Sequence, residues 1–239
     1  MINGMLYSSR GCLKEEIRMD IISNNLANST VHGFKKDRIA FNDILGDTII
    51  DSYSNNNSLY EVKIDHSQGD IRGTGNQLDL AINGKGFFKV NTPEGIKYTR
   101  KGNFILSPQG VLSTQDGYQV MGIGGPITVP GKDIIINNQG VLSSDGIQAG
   151  QIELVDFERY ETLIKEGNGL FGNPANDPEK PANADTTIKQ GFLELSNVNT
   201  AEEMIQMVHS LRAFESYQKA IKVIDEMNNK AVNEVGRLR

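Results

Sequence analysis

The chain has 239 residues, a formal net charge of −6, 38% hydrophobic residues and no tryptophan. This length can hold one or two domains with a substantial core. The acidic balance offers no basic surface for nucleic acid, and no apolar run approaches the ~18 residues that a membrane-spanning helix needs. With Cys12 as the only cysteine, no internal disulfide can form. The composition therefore predicts a globular protein that neither binds nucleic acid nor inserts into a membrane.

An amphipathic helix is predicted at the start of the chain, from about residue 3 to residue 28. Four side chains recur every seven residues, a spacing that is typical of a seam packed against another helix. Polar or small residues at Ser9, Gly11 and Glu16 interrupt the pattern, which favours a bundle shared with other chains over a free-standing two-stranded coiled coil. The predicted seam consists of Met5, Cys12, Met19 and Leu26, and Ile22 flanks it.

A connector and a β domain follow this helix. Residues 37–59 form the connector, in which Phe41, Ile44 and Leu45 are expected to anchor one short element. From residue 60 the pattern changes to short apolar or alternating runs bounded by Gly, Asn, Asp and Pro, which predict strands. The predicted strands are residues 78–82, 86–90, 97–100, 103–106, 118–121, 134–136 and 152–155.

The β domain contains an internal repeat. The sequence Gln-Gly-Val-Leu-Ser occurs at residues 109–113 and again at 139–143, and each copy precedes an Asp-Gly pair. Because Asp-Gly favours tight turns between antiparallel strands, each copy predicts a hairpin. Residues 173–185 contain three prolines and no periodicity, so they are predicted to form a flexible loop. Residues 188–195 then return the chain to its last helix.

A second long helix is predicted from Thr200 onward. Thr200 followed by Glu203 has the spacing of a capping box, and Gly236 is the first glycine in the segment. Apolar residues then recur at steps of three or four, and so many large apolar side chains on one stripe require a partner. The periodicity leaves two possibilities open: the helices close one domain on itself, or they bind other chains. The stripe consists of Met204, Met207, Leu211, Phe214, Tyr217, Ile221, Ile224, Met227, Ala231, Val235 and Leu238.

No constellation in the sequence predicts catalysis, a cofactor or a metal site. The glycines at 84, 86, 122, 124 and 125 lack the spacing of a phosphate-binding loop and do not open a helix. His32, His66 and His209 lie in three unrelated contexts, without a cysteine or paired carboxylate at ligand spacing. The chain is therefore predicted not to be an enzyme.

The end of the first helix resembles the N-terminal signature of the bacterial flagellar axial proteins, the rod, hook and hook-associated family. The block Ser-Asn-Asn-Leu-Ala-Asn at residues 23–28 and the Gly-Phe-Lys exit at 33–35 match this signature, whereas residues 29–33 depart from its usual Asn-Thr-x-Gly turn. The residues that carry the match are Asn24, Asn25, Ala27, Asn28, Gly33 and Phe34.

Three further blocks extend the resemblance over the chain. Residues 66–88 and 98–104 resemble the start of the β domain of flagellar rod proteins, and residues 190–199 resemble the strand that leads into their last helix. The chain lacks the additional domains expected of the hook protein, which favours a rod component. The short connector resembles the proximal rod type (F type) more than the distal one (G type).

The resemblance implies a fold of mixed α and β class, in which long N- and C-terminal helices form a coiled-coil-like core element around an inserted, mainly antiparallel β domain. We expect a discontinuous helical core of residues 1–36 and 196–239, a connector of 37–59 and a β domain of 60–195. The alternative is a monomeric β-domain binding module or glycan-processing enzyme whose helices form a self-contained clasp.

The function implied by the resemblance is that of a structural subunit of the flagellar basal-body rod, in the periplasm. The expected partners are other flagellar axial proteins, including rod subunits and hook-side neighbours, in a homo- or hetero-oligomeric helical tube. Export by the flagellar type III apparatus, without a cleavable signal peptide, is implied too. The expected assembly interface comprises Met5, Cys12, Met19, Ile22, Leu26, Met204, Met207, Leu211, Phe214, Ile221 and Ile224.

Overall fold

Two long helices and a set of short antiparallel strands make up the fold, which a computed structural model describes for residues 2–41, 60–131 and 133–235. Helix α1 spans Ile2–Ala27 and helix α2 spans Thr200–Val235. The strands lie between the helices in the chain, and all of their described pairings are antiparallel. The predicted mixed α and β class is confirmed. Some of the predictions concern residues outside the described ranges, namely Ile44, Leu45, Gly236 and Leu238.

The strands β1 to β19 are short, and most have two to five residues. The first ten are β1 Asp37–Phe41, β2 Tyr60–Ile64, β3 Ile71–Gly73, β4 Leu80–Asn83, β5 Phe87–Thr92, β6 Gly95–Thr99, β7 Ile105–Leu106, β8 Leu112–Ser113, β9 Gln119–Gly122 and β10 Gly125–Pro126. The others are β11 Ile134–Ile136, β12 Val141–Ser144, β13 Ile147–Gln151, β14 Leu154–Asp156, β15 Ile164–Lys165, β16 Leu170–Gly172, β17 Lys180–Pro181, β18 Thr187–Gln190 and β19 Phe192–Glu194.

The contacts divide the chain into two compact units. The helical unit comprises the described parts of Met1–Ala27, Asp37–Lys63 and Asn199–Arg239, and the β unit comprises Asn28–Lys36 and Ile64–Val198. The turn that follows α1 therefore groups with the strands, and the hairpin of β1 and β2 groups with the helices.

The β unit is built on a ten-stranded sheet whose main path runs β15-β16-β6-β5-β9-β8-β7. Strands β11, β12 and β13 form a separate meander, while β18 pairs with β4 and β19 pairs with β3. A large apolar core includes Leu80, Phe88, Leu112, Leu142 and Ile188, all with no exposed surface. A second, aromatic core is formed by Phe87, Tyr98, Val155, Phe157, Leu163 and Phe171.

The predicted repeat is confirmed. In the first copy, β8 pairs with β9 across the turn at Asp116, and in the second, β12 pairs with β13 across the turn at Asp145. The turns that precede the two copies also match: Ser107 Oγ accepts from the Val111 amide at 3.1 Å, and Asn137 Oδ1 accepts from the Val141 amide at 2.9 Å. A side-chain oxygen thus accepts from the main chain at equivalent positions, at the 30-residue offset of the sequence repeat.

Segment 173–185 is more ordered than the predicted flexible loop. It contains β17, which pairs with β14, and a buried aspartate, Asp177. The Asp177 carboxylate accepts a hydrogen bond from the Thr162 hydroxyl at 2.6 Å and pairs with Arg159. The main-chain oxygen of Asp177 accepts a second hydrogen bond, from the Asn173 side chain, at 2.9 Å. These polar bonds hold the segment in place without the apolar periodicity that a sequence pattern would reveal.

Candidate assembly surface

Helices α1 and α2 pack against each other in an antiparallel pair. A β carbon built on Gly4 would lie 3.4 Å from Ile224 Cδ1, and one on Gly11 would lie 2.5 Å from the Tyr217 ring. At the other end, Asn25 Nδ2 lies 3.4 Å from Glu203 Oε2. In each contact the two residue numbers sum to 228, so one constant register holds over three heptads of α1.

The seam between the helices runs through positions spaced alternately by four and three residues. We call these positions the seam: on α1 and α2 they are Gly4, Ser8, Gly11, Glu15, Arg18, Ile22, Asn25, Glu203, Met207, Ser210, Phe214, Tyr217, Ile221 and Ile224. Of the residues expected at an interface, Ile22 is buried in this seam, and Met207, Phe214, Ile221 and Ile224 are half-buried there. The arrangement has heptad spacing in both helices.

The predicted α1 seam is displaced by one residue from the observed one. Met5, Cys12, Met19 and Leu26 each follow a seam position directly, and Met204 and Leu211 do so on α2. We call these six residues the flanking row. In an antiparallel pair, the positions that directly follow such seam residues on both helices lie along the same edge. The seam was misplaced because its α1 side is formed mainly by small and polar residues, whereas periodicity detects large apolar ones.

Large apolar side chains remain exposed on both helices, while several polar ones are buried in the seam. Met5 is 42% exposed, Met204 58% and Leu211 47%, whereas Ser8, Glu15, Asn25, Glu203 and Ser210 are buried. Among residues 3–27 and 200–233, whose side chains are described, Ile22 is the one buried hydrophobic side chain. Further exposed apolar residues are Tyr7, Leu13, Ile205, Val208, Val223, Met227 and Val232. A helix pair with this distribution leaves most of its apolar surface uncovered.

The start of α2 is capped differently from the predicted capping box. Asn199 is the N-cap: its Oδ1 accepts from the amides of Ala201 at 3.2 Å and Glu202 at 3.3 Å. Thr200 is the first helical residue. The Glu203 carboxylate, expected to reach back to the cap, is instead buried in the seam with Asn25.

The exit turn of the first helix is locked into the β unit at Gly33. Its φ of +67° favours glycine, and a β carbon there would lie 2.5 Å from the Arg100 carbonyl carbon. The Gly33 amide donates to the Glu194 main-chain oxygen at 2.8 Å, and the Phe34 oxygen accepts from the Asn197 amide at 3.3 Å. The Phe34 ring lies 4.2 Å from Lys165 Nζ. Gly33 and Phe34 therefore fix the turn to strand β19 and the segment after it.

A buried ion cluster joins the same segments. Glu194 is fully buried, and its carboxylate pairs with Lys35 Nζ at 2.5 Å and with an Arg100 guanidinium nitrogen at 3.1 Å. Lys35 Nζ also donates to the Ser67 carbonyl at 2.7 Å, and the Gly69 amide donates to Glu194 Oε1 at 3.0 Å. Burial lowers the pKa of Lys35, while Glu194 offsets part of this effect. One carboxylate thus ties together four stretches that are distant in sequence.

His66 lies beside this cluster in an aromatic pocket. Its ring centroid is 5.0 Å from that of Tyr160 and 5.7 Å from that of Phe171, and among the described residues neither of its nitrogens has a hydrogen-bond partner. Burial, followed by the nearby charges of Lys35 and Arg100, lowers the pKa of His66 to about 4. The histidine is therefore neutral near pH 7, and its ring packs as an aromatic side chain.

The described residues show no cluster suited to metal binding. Within the described ranges, no group of three His, Cys, Asp or Glu residues is placed to hold a metal ion. Neither described helix is long and apolar enough to cross a bilayer.

Comparison with known proteins agrees with the resemblance found in the sequence. Three family models match: the flagella basal body rod protein over residues 6–35, the flagellar hook protein FlgE/F/G D1 domain over 81–144 and the flagellar basal body rod FlgEFG protein C-terminal region over 189–234. The chain is 34% identical to the flagellar basal-body rod protein FlgG of Bacillus subtilis, with 95% of this chain and 97% of that protein covered. The chain belongs to the flagellar basal-body rod protein family.

Relatives of both rod types occur among the matches. Flagellar basal-body rod protein FlgF of Caulobacter vibrioides is 34% identical, with 92% of each chain covered, and FlgF of Rhizobium meliloti is 32% identical over the whole of both chains. As a member of the rod protein family, this chain is a structural subunit of the bacterial flagellar basal body. Neither these relatives nor the described residues support the alternative of a glycan-processing enzyme.

The three matched segments coincide with the elements described above. The first covers most of α1 and ends at Lys35, and the last runs from strand β18 through α2. Of the rod signature residues, Asn25 and Gly33 have clear structural roles, as a seam residue and a turn residue. Asn28 accepts from the Val31 amide at 3.1 Å in the same turn. Asn24 and Ala27 are exposed on α1.

Proposed function

We propose that this rod subunit joins its neighbours through the flanking row and the apolar residues beside it. The support is the distribution of side chains: the α1 side of the seam is mainly small and polar, and Met5, Met204 and Leu211 are left about half exposed. Covering a large apolar side chain contributes roughly 1.5–3 kcal/mol when it is fully exposed beforehand. These residues are about half exposed, so each contributes about half as much. Several of them on each subunit provide the driving force for polymerisation.

The partners under this proposal are other flagellar axial proteins, and the product is a homo- or hetero-oligomeric helical tube. The seam residues Ile22, Met207, Phe214, Ile221 and Ile224 hold the helix pair together, and the flanking row meets the neighbouring subunits. The role is structural, without catalysis.

We further propose that the chain is a proximal, F-type rod protein. Its alignment with FlgG of B. subtilis spans 261 positions, more than the 239 residues of the chain, so at least 22 positions face gaps in it. The alignment with FlgF of R. meliloti spans 243 positions, so at least four positions face gaps in this chain. The length of this chain therefore fits that of the F-type relative better than that of the G-type relative. Rescue of motility in a strain lacking its F-type rod protein, and not in one lacking its G-type protein, is the expected result.

The assembly proposal is tested by Leu211→Asp with Glu215→Ala as its control. Leu211 is 47% exposed in the subunit, so an aspartate there leaves folding intact. In a dry interface between subunits, the same unpaired carboxylate costs several kcal/mol. We expect Leu211→Asp protein to melt like wild type but to be absent from purified basal bodies, and the cells to be non-motile.

Glu215 is exposed on the same helix one turn further on, and its replacement should leave assembly unchanged. If Leu211→Asp protein is incorporated into rods normally, the flanking row is not the interface. If it lowers the melting temperature of the isolated subunit, Leu211 belongs to the fold of the subunit instead.

A further inference from the structure

The side chain of Asn25 holds two elements of the helical unit at once. Its Nδ2 group donates to the Asp37 carbonyl at 2.9 Å and to Glu203 Oε2 at 3.4 Å, and its Oδ1 accepts from the Asp37 amide at 2.9 Å. The residue is 1% exposed. Both amide hydrogens and the amide oxygen of Asn25 are therefore in use.

The hairpin held by Asn25 is small and lies outside the main sheet. Strand β1 begins at Asp37 and pairs with β2, and the two form a sheet of their own. Residues 60–63 of β2 are exposed, and no residue of either strand whose burial is described is buried. An isolated two-stranded hairpin is marginal in water. The two hydrogen bonds between Asn25 and the main chain of Asp37 resemble those of a strand partner and fasten the first residue of the hairpin to α1.

The other contact of Asn25 depends on α2. Glu203 lies in the first turn of α2 and is 4% exposed, so its carboxylate reaches Asn25 only when α2 is docked on α1. Docking also excludes water from the Asn25 amide, and hydrogen bonds strengthen in a less polar environment. The hydrogen bonds between Asn25 and Asp37 are therefore strongest when α2 is docked on α1.

We propose that Asn25 is a positioning residue that couples the docking of α2 on α1 to the ordering of the β1–β2 hairpin. When the seam opens, Asn25 loses Glu203 and becomes solvated, and its two hydrogen bonds to the main chain of Asp37 weaken. The coupling acts within one chain and stands independently of the assembly surface proposed above. It makes the hairpin, whose first strand begins the connector, respond to the state of the two terminal helices.

The first test follows amide hydrogen exchange of the full chain in rising concentrations of trimethylamine N-oxide, which favours burial. The amides of residues 38–41 and 61–64 should gain protection at the same concentrations as those of residues 203–210. Protection of one segment without the other, at any concentration, overturns the proposal. The amides of strand β5, in the other unit, serve as the reference.

The second test uses Tyr217→Ala, which loosens the seam about 21 Å along α2 from Glu203. Under conditions where the wild-type helices are docked, exchange in the hairpin and in the first turn of α2 should quicken by the same factor, about tenfold or more. In Asn25→Ala the hairpin should already exchange rapidly, and adding Tyr217→Ala should not change it further. Asn25→Asp, which keeps an acceptor oxygen but loses both donors, should behave like Asn25→Ala.

Two outcomes contradict the coupling. One is a hairpin that stays protected in Asn25→Ala. The other is a Tyr217→Ala variant in which α2 exchanges faster while the hairpin keeps its wild-type rate.

Discussion

The ring of Tyr217 occupies the space that a β carbon on Gly11 would fill, since that carbon would lie 2.5 Å from Tyr217 Cε1. Gly11 lies in the middle of α1, where glycine destabilises a helix by about 1 kcal/mol relative to alanine. The close approach of α2 explains why the sequence tolerates this cost. The glycine that interrupts the predicted apolar pattern is thus a contact point of the seam.

This relationship predicts a reversal of sign in a double-mutant cycle. Gly11→Ala should loosen the helix pair, because overpacking costs about 1–3 kcal/mol and outweighs the gain in helix propensity. In a Tyr217→Ala background the same change should stabilise the pair by up to about 1 kcal/mol. Amide exchange in α1 measures both effects. Stabilisation by Gly11→Ala in both backgrounds would show that the ring does not constrain this position.

The two units should differ in protection when the subunit is free. The β unit has two extensive buried cores, whereas Ile22 is the one buried hydrophobic side chain among residues 3–27 and 200–233. We therefore expect amides of residues 3–28 and 204–235 to exchange far faster than those of residues 78–90 in the isolated monomer. Equal protection would mean that the helices are already stable in the free subunit, with no neighbour covering their apolar surface, and would contradict this expectation.

The β unit should fold alone, provided that it keeps the exit turn of α1. A chain of residues 60–195 contains the predicted β domain but lacks Lys35, which pairs with the buried Glu194. A chain of residues 28–198 keeps this pair, so we expect it to be more stable by about 1–3 kcal/mol. Urea unfolding of both truncated chains measures the difference. As a control, Lys35→Met in the longer chain should remove most of this difference in stability. Equal stability of the two truncated chains would show that Lys35 does not stabilise the β unit.

The neutral state of His66 predicts a dependence of stability on pH. The pKa of His66 is about 4 in the folded chain and 6.5 in the unfolded one, so the unfolded chain takes up the proton first as the pH falls. The contribution of His66 is fully present above about pH 6.5 and is lost progressively toward pH 4, by up to about 3 kcal/mol. Urea unfolding of the full chain at several pH values measures this slope.

His66→Phe supplies the control for this slope. Neither ring nitrogen of His66 has a partner among the described residues, so phenylalanine leaves no buried group unpaired there. The variant should be as stable as wild type at pH 7 and should lose less stability between pH 6.5 and 4.5. An identical pH profile for both proteins would assign the dependence to other groups.

The sequence predicted the elements with strong periodicity and missed those held by polar contacts. Both long helices were predicted, and each of the seven predicted strands overlaps an observed strand or bridge. Strands of two or three residues, such as β15 and β17, carry too little pattern to be recognised. The pairing of Lys35 with Glu194 joins residues 159 positions apart, which no local pattern reveals.

The prediction of the seam shows the same limit of apolar periodicity. Apolar periodicity found the flanking row, because Met5, Met19 and Leu211 are large and regularly spaced. It missed the contact side of α1, because Gly4, Ser8, Gly11 and Asn25 are small or polar. The Asn199 cap was missed as well, since both Asn199 and Thr200 are good N-cap residues and only the observed hydrogen bonds distinguish them.

The most direct test of the flanking row as the assembly surface is imaging of assembled basal bodies at side-chain resolution. We expect Met5, Met19, Met204 and Leu211 of this subunit to lie buried against helices of neighbouring subunits, while the seam between α1 and α2 stays closed in each subunit. A rod in which these four side chains remain in solvent, while the contacts between subunits run through the β unit alone, would contradict it.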